Sequence, residues 1–105
     1  MANFTINDVL HQAPIAKLPG IREAVVCRDG FTMSVQASKF HYCFPRENEG
    51  PYELVEVGYP SAKEDLLLDY AEEPDIPTST VYGYVPVEVV EAVLEKHGGF
   101  AGFKH

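Results

Sequence analysis

The clearest pattern in the chain is a two-residue alternation that begins at Phe31. Phe31, Met33, Val35 and Ala37 fall on one side of an extended strand and Thr32, Ser34, Gln36 and Ser38 on the other, which predicts a half-buried strand. Just beyond it His41 and Cys43 share one face while Phe40, Tyr42 and Phe44 share the opposite one. Residues 24–28 are short and valine-rich, and Asp29-Gly30, the dipeptide favoured by type I′ turns, joins the two runs into a tight hairpin. Residues 52–59 alternate again, with Leu54 on one parity and Val55, Val57 and Tyr59 on the other, and predict a third strand in which Gly58 marks a bulge or a close backbone approach. Residues 80–85, β-branched and aromatic, predict a fourth.

Helices are signalled by their ends. Thr5 or Asn7 can cap a short helix running to about Gln12. Ser61 and Glu64 match a capping box, and Leu66, Leu67, Leu68, Tyr70 and Ala71 supply an apolar face for a helix that stops near Glu72, ahead of Pro74 and Pro77. Pro86 fits the first position of a last helix and Gly98-Gly99 its end. That helix turns Val87, Val90, Val93, Leu94 and His97 to one side and Glu88, Glu91 and Glu95 away. Residues 13–20, with Pro14, Pro19 and Gly20, predict a loop, as do residues 46–50 and 73–79. Residues 100–105 predict a loose tail whose Phe100 and Phe103 can dock back. The order of elements predicts one α+β domain over residues 1–105. Its two layers are a four-stranded, mostly antiparallel sheet and, on one face of it, two main helices with a short N-terminal one.

Composition narrows the class. The 105 residues fit a single domain, and 46% hydrophobic with 23% charged residues is globular usage. No apolar run approaches the roughly 18 residues that span a bilayer, and the N-terminus lacks the basic start and apolar centre of a signal peptide, so a cytoplasmic protein without membrane contact is expected. Cys27 and Cys43 should then stay reduced. Sixteen acidic against eight basic residues give a formal charge of -8, which opposes direct nucleic-acid binding. The same charge allows the reverse case, an acidic protein filling a basic groove that normally holds nucleic acid.

Candidate chemistry centres on residues 34–46. A histidine two residues from a cysteine on a strand can stabilise a thiolate, but neither a third group orienting His41 nor an oxyanion site beside Cys43 is visible, which favours a structural role. Cys27, Cys43 and His41 with His11, His97 or His105 contain only one ligand pair at zinc spacing, so no metal is expected. No glycine-rich loop precedes a helix, so no nucleotide cofactor is expected either. Arg46 could grip a carboxylate or a phosphate, against the plainer reading of residues 46–50 as a solvated loop whose arginine pairs with a neighbouring acid. Tyr52, Tyr59, Tyr70, Tyr82 and Tyr84, with Phe40, Tyr42 and Phe44, cannot all point inward, which predicts a polar, aromatic open sheet face suited to a partner or a second copy. The surface candidates are Ser34, Gln36, Ser38, His41, Tyr42, Cys43, Arg46, Tyr82 and Tyr84.

The segments SVQASKFHYCFPREN, VEVGYPS and TVYGYVPVEVVEAVLEKHGG resemble a group of small uncharacterised proteins encoded by tailed bacteriophages and prophages, across about residues 21–99. The resemblance implies a bacterial cytoplasmic setting, brings no enzyme class and no catalytic residues, and points to residues 34–38 with His41, Tyr42, Cys43, Pro45 and Arg46. The expectation is a non-enzymatic accessory protein that binds a host or phage protein through its tyrosine-rich sheet, with a homodimer as one form of that contact. Two alternatives stand beside it. An acidic inhibitor of a host defence or transcription protein predicts a complex that weakens steeply with salt, and a Cys-His enzyme predicts an activated Cys43.

Overall fold

The Thr5 hydroxyl accepts the Asp8 N–H at 3.1 Å and starts the first helix, α1 (Ile6–Gln12), which buries Ile6, Val9 and Leu10. The computed structural model describes residues 5–17 and 20–104; Pro19 and His105, which entered the loop and metal readings, lie outside them. After α1 come β1 (Ile15–Lys17), β2 (Ile21–Arg22), β3 (Ala24–Cys27), β4 (Thr32–Gln36), β5 (Leu54–Gly58), a 3-10 turn (Leu68–Tyr70), β6 (Val81–Pro86), α2 (Val87–Lys96) and β7 (Phe100–Lys104). Five strands form one antiparallel sheet in the order β6-β5-β4-β3-β7, and β1 pairs with β2 separately. The α+β class is as expected, with one more strand in the sheet and one fewer main helix.

The hairpin of β3 and β4 is present with Val25 opposite Met33, but its turn is wider than type I′. Gly30 N–H donates to the Cys27 carbonyl and Cys27 N–H to that of Phe31, so Arg28, Asp29 and Gly30 form a three-residue loop. Only Gly30, at φ 96°, takes the left-handed conformation, and the Asp29 carboxylate accepts the Phe31 N–H at 2.9 Å. Phe31, Met33, Val35 and Ala37 are all buried, as their alternation predicts.

Two bulges account for most of the differences from strict alternation. Between β5 and β6, Val55 faces Val85 while Val57 faces Tyr82, so three steps on β6 match two on β5. Tyr82 and Val85 therefore both reach the core, and Tyr84 turns out. Between β3 and β7, Val25 faces Phe103 and Cys27 faces Phe100, so the ladder takes up one extra residue and both rings meet the core side, 5.1 Å apart edge to face. Residues 100–104 are thus a strand and not a tail. Residues 15–17, expected as loop, pair with residues 21–22.

The helix expected over residues 61–72 does not form. The Ser61 hydroxyl accepts the Thr32 N–H at 2.9 Å and Ser61 N–H donates to the Thr32 carbonyl, a strand-like pairing that occupies the capping group. Glu64 turns inward to other partners, and only the 3-10 turn remains, with Leu67 buried and Leu66 exposed. α2 begins at Val87, one residue after the expected start, buries Val90, Val93 and Leu94, and ends at Lys96 with His97 as its cap, followed by Gly98 and Gly99 at φ 91° and 102°. Glu91 does not face away: its carboxylate accepts the Ile6 N–H at 2.8 Å and so joins α2 to the start of α1. Replacing it, as Glu91→Ala, removes a charged acceptor from a half-buried N–H. The expected cost is about 1–2 kcal/mol in urea unfolding, with faster hydrogen exchange confined to α1; an unchanged midpoint would show that the contact carries no stability.

Candidate functional site

The residues singled out after β4 occupy a loop thrown out of the sheet. Gln36 faces Glu56, so an unbroken ladder would set Ser38 opposite Leu54, yet it is Phe44 that bridges Leu54. Residues 38–43 are the excursion between, and its side chains still alternate. His41 and Cys43 are buried, whereas Phe40, Tyr42 and Phe44 are exposed, at 62%, 40% and 54%.

The outward side forms an aromatic face. Tyr42 N–H donates to Glu56 Oε1 at 3.2 Å, and the Tyr42 carbonyl accepts the Tyr84 N–H at 3.0 Å, which joins the excursion to the β6 bulge. The approach requires a glycine: a Cβ on Gly83 would stand 3.2 Å from the Tyr42 Cβ. The Tyr42 and Tyr84 rings lie 5.9 Å apart at 38°, Arg46 sits over Tyr42 at 5.5 Å, and Lys39 over Phe40 at 5.4 Å. Tyr84 takes φ 53°, a left-handed conformation that is an outlier for a bulky residue, and the residue is 47% exposed. Tyr59, also exposed with φ 49°, lies beyond the other end of β5.

The inward side is closed. Ser38 Oγ and His41 Nδ1 are 2.6 Å apart, and Ser38 Oγ also accepts the Phe40 N–H. Burial, ahead of the neighbouring charges, holds His41 below its ordinary pKa and so neutral. The Cys43 thiol lies 3.1 Å from the Ser38 carbonyl and 3.4 Å from that of Pro45, and burial raises its pKa. Burial and then Asp29 push Cys27 up to about 11. Both thiols are free and buried. Gln36 is buried against Arg22, accepting its N–H and donating to its carbonyl, each at 2.8 Å, and Gln36 also donates to the half-buried Ser34 hydroxyl. Tyr82 is fully buried with its hydroxyl donating to the Pro77 carbonyl, which removes it from the surface set. Of the nine candidates only Tyr42, Arg46 and Tyr84 meet at the surface.

Arg22, absent from the sequence reading, donates to the carbonyls of Leu10 at 3.1 Å and Ala37 at 2.6 Å, and it borders a cleft of about 460 Å³ with Asn7 and Tyr52. Asn7 and Tyr52 are engaged by the protein itself: the Asn7 amide exchanges two hydrogen bonds with the Tyr52 backbone, and the Tyr52 hydroxyl donates to the Glu47 carbonyl.

A second polar cluster was also missed. His97 Nδ1 is 2.6 Å from Asp29 Oδ2, its Nε2 is 2.7 Å from Glu64 Oε1, and Lys96 Nζ is 2.8 Å from Glu64 Oε2, while the imidazole stacks on Phe31 at 4.0 Å and 14°. Two carboxylates on the two ring nitrogens require an N–H on each, which makes His97 an imidazolium. Burial opposes that charge, but the bonds to Glu64 and Asp29 outweigh it and raise the pKa. Burial likewise works to raise Glu64, and the bonds from Lys96, Leu66 N–H and His97 overcome it and lower the pKa. The signal in the sequence was His97 on the apolar side of α2, where a lone histidine needs an acidic partner. Among the described residues no group of three or more histidines, cysteines and acids is placed to hold a metal ion, and no helix is long and apolar enough to cross a membrane.

Comparison with known proteins returns nothing at any level: no family model, no curated protein and no solved structure matches the chain.

Two measurements follow from the buried groups. Asp29 also has a lowered pKa, chiefly through the Phe31 N–H and then His97. Groups raised on folding, as His97 is, stabilise fully below their unfolded value of about 6.5 and lose that contribution as pH climbs through the folded value. Groups lowered on folding, as Glu64 and Asp29 are, stabilise above about 4 and lose it as pH falls through theirs. His41, lowered on folding, adds a loss as pH falls below about 6.5, and the raised thiols add one only above about 8.5, so stability should peak near neutral pH and His97→Gln should flatten the decline in urea titrations between about pH 6.5 and 8.5; a wild-type midpoint constant across that window would refute the imidazolium. For the thiols, a disulfide-exchange reagent at neutral pH should leave Cys27 and Cys43 unmodified in the folded protein and titrate both after denaturation. Rapid modification of Cys43 in the native state would instead mark it as an activated nucleophile.

Proposed function

We propose that this protein is a non-enzymatic binding protein of phage or prophage origin, acting in the bacterial cytoplasm by docking another protein on the aromatic face of Tyr42, Phe44 and Tyr84. The observation that carries the reading is Tyr84. Its left-handed backbone costs of order 1 kcal/mol for a bulky residue, and its ring gains no core burial in return. A costly conformation that presents an aromatic ring to solvent beside a second one supports a role outside the fold, since exposed aromatic clusters are typical of interface anchors. The raised thiol of Cys43 and the neutral, serine-bound His41 favour a structural over a catalytic use of that pair. The phage setting rests on the resemblance of residues 21–99 to the small proteins of tailed phages.

The test is capture from bacterial lysate with the wild type and with Tyr84→Asn combined with Tyr42→Ser. Asparagine tolerates the left-handed conformation, so the variant should keep the wild-type urea midpoint or exceed it by up to about 1 kcal/mol. A protein captured by the wild type should be lost from the variant. Equal capture by both would remove the aromatic face from the function.

A further inference from the structure

We propose that Asp29, His97 and Glu64 form a pH-operated latch: on losing a proton, His97 keeps its bond to Glu64 and drops Asp29, which frees the β3–β4 loop and β7 while α2 stays fixed to the segment after Ser61. The two carboxylates are unequal. Glu64 is 1% exposed, and the Lys96 ammonium and the Leu66 N–H both go to its Oε2, so among the described residues His97 Nε2 is the sole donor to Oε1. Asp29 is half exposed, at 49%, and its other oxygen already holds the Phe31 N–H.

A neutral imidazole carries a single N–H. With that proton on Nδ1, Oε1 of Glu64 would be a buried anionic oxygen facing a bare ring nitrogen; with it on Nε2, only the bond to the half-exposed Asp29 is lost, and water can replace the donor there. The bare Nδ1 then repels the Asp29 carboxylate at 2.6 Å and drives the loop outward. The other groups around the ring keep that order. Lys96, from the same helix, binds Glu64 in both states, and Asp65 acts on Lys96. Arg28 lies against Gly98 and Gly99 beside Asp29, and Phe31 closes the face of the ring without charge. Once Asp29 lets go, the loop and the start of β7 are joined, among the described residues, by hydrogen bonds of the backbone alone. These run from Asp29 N–H to the His97 carbonyl and from Arg28 N–H to that of Gly99, and β7 has only β3 beside it in the sheet. The bonds that raise the pKa of the imidazolium put the change above about 6.5.

The experiment follows the His97 ring by nitrogen-15 NMR in the full chain from about pH 5.5 to 9.5, with amide exchange measured on the same samples. Both ring nitrogens should carry protons at about pH 6, and above a midpoint higher than about 6.5 the neutral form should be the Nε2–H tautomer. Across that midpoint the exchange protection of residues 28–30 and 100–104 should fall roughly two- to fivefold relative to that of β5. Asp29→Asn, whose amide can donate to the bare Nδ1 while its oxygen keeps the Phe31 N–H, should abolish the fall. The tautomer is read on the wild type, so the test stands whatever the stability of the variant. A neutral form protonated on Nδ1, a ring still doubly protonated at about pH 9.5, or protection lost no faster in these residues than in β5 would overturn the latch. A fall of the same size in Asp29→Asn would overturn it as well.

Discussion

A carboxylate buried as completely as that of Glu64, at 1% exposure, costs several kcal/mol of lost hydration unless charges and donors surround it. Here Lys96, His97 and the Leu66 N–H do so, and the second ring nitrogen of His97 turns to Asp29. One cluster therefore holds together the loop of the β3–β4 hairpin, the segment that begins at Ser61 and the end of α2. From that end the chain enters β7 with little freedom: Asp29 N–H donates to the His97 carbonyl and Arg28 N–H to that of Gly99. The fifth strand thus starts where the charge cluster ends. Phe31 supplies the floor beneath the imidazolium, so a core residue and a titrating one meet in a single contact.

This competition explains why a valid local signal failed. Ser61 and Glu64 have the spacing of a helix cap, but each group found a stronger distant partner, Ser61 at Thr32 and Glu64 at Lys96 and His97. Local propensity is worth fractions of a kcal/mol per residue, and a buried charge without partners costs more than that. The legible parts were those whose information is local or periodic: the Thr5 cap, the run from Phe31 to Ala37, the third and fourth strands, and the apolar stripe of α2. The illegible parts required a distant partner or a break in period. Phe100 and Phe103, three apart, read as no strand until a bulge brings both to Val25 and Cys27, and Tyr82 and Tyr84 read as one face until the β6 bulge separates them.

The candidate site shows the same division. Alternation correctly sorted His41 and Cys43 from Phe40, Tyr42 and Phe44, although these residues leave the ladder and form no continuous strand. It could not show that Gln36 would be covered by Arg22, or that Gly83 would admit the Tyr42 backbone. Those facts depend on residues 14 and 41 positions away along the chain. What could be read was that this stretch carries more large aromatics than one face of a strand can bury, and the excursion is how the fold accommodates them.

The two features lie at opposite ends of β4. His97 stacks on Phe31 just before the strand, and the excursion begins just after Gln36; five extended residues between them correspond to roughly 17 Å. At that distance, with no shared polar partner, effects of substitutions are expected to add. The loss of stability just above neutral pH is then set at one end of the strand and the exposed rings at the other. The strain of Tyr84 can persist because the hydrogen bonds that impose it, from its own N–H to Tyr42 and from Tyr42 N–H to Glu56, are anchored in β5, a central strand paired on both sides. A conformation that is costly alone is held by a neighbour that cannot easily move, which is the arrangement needed to keep two rings fixed and exposed.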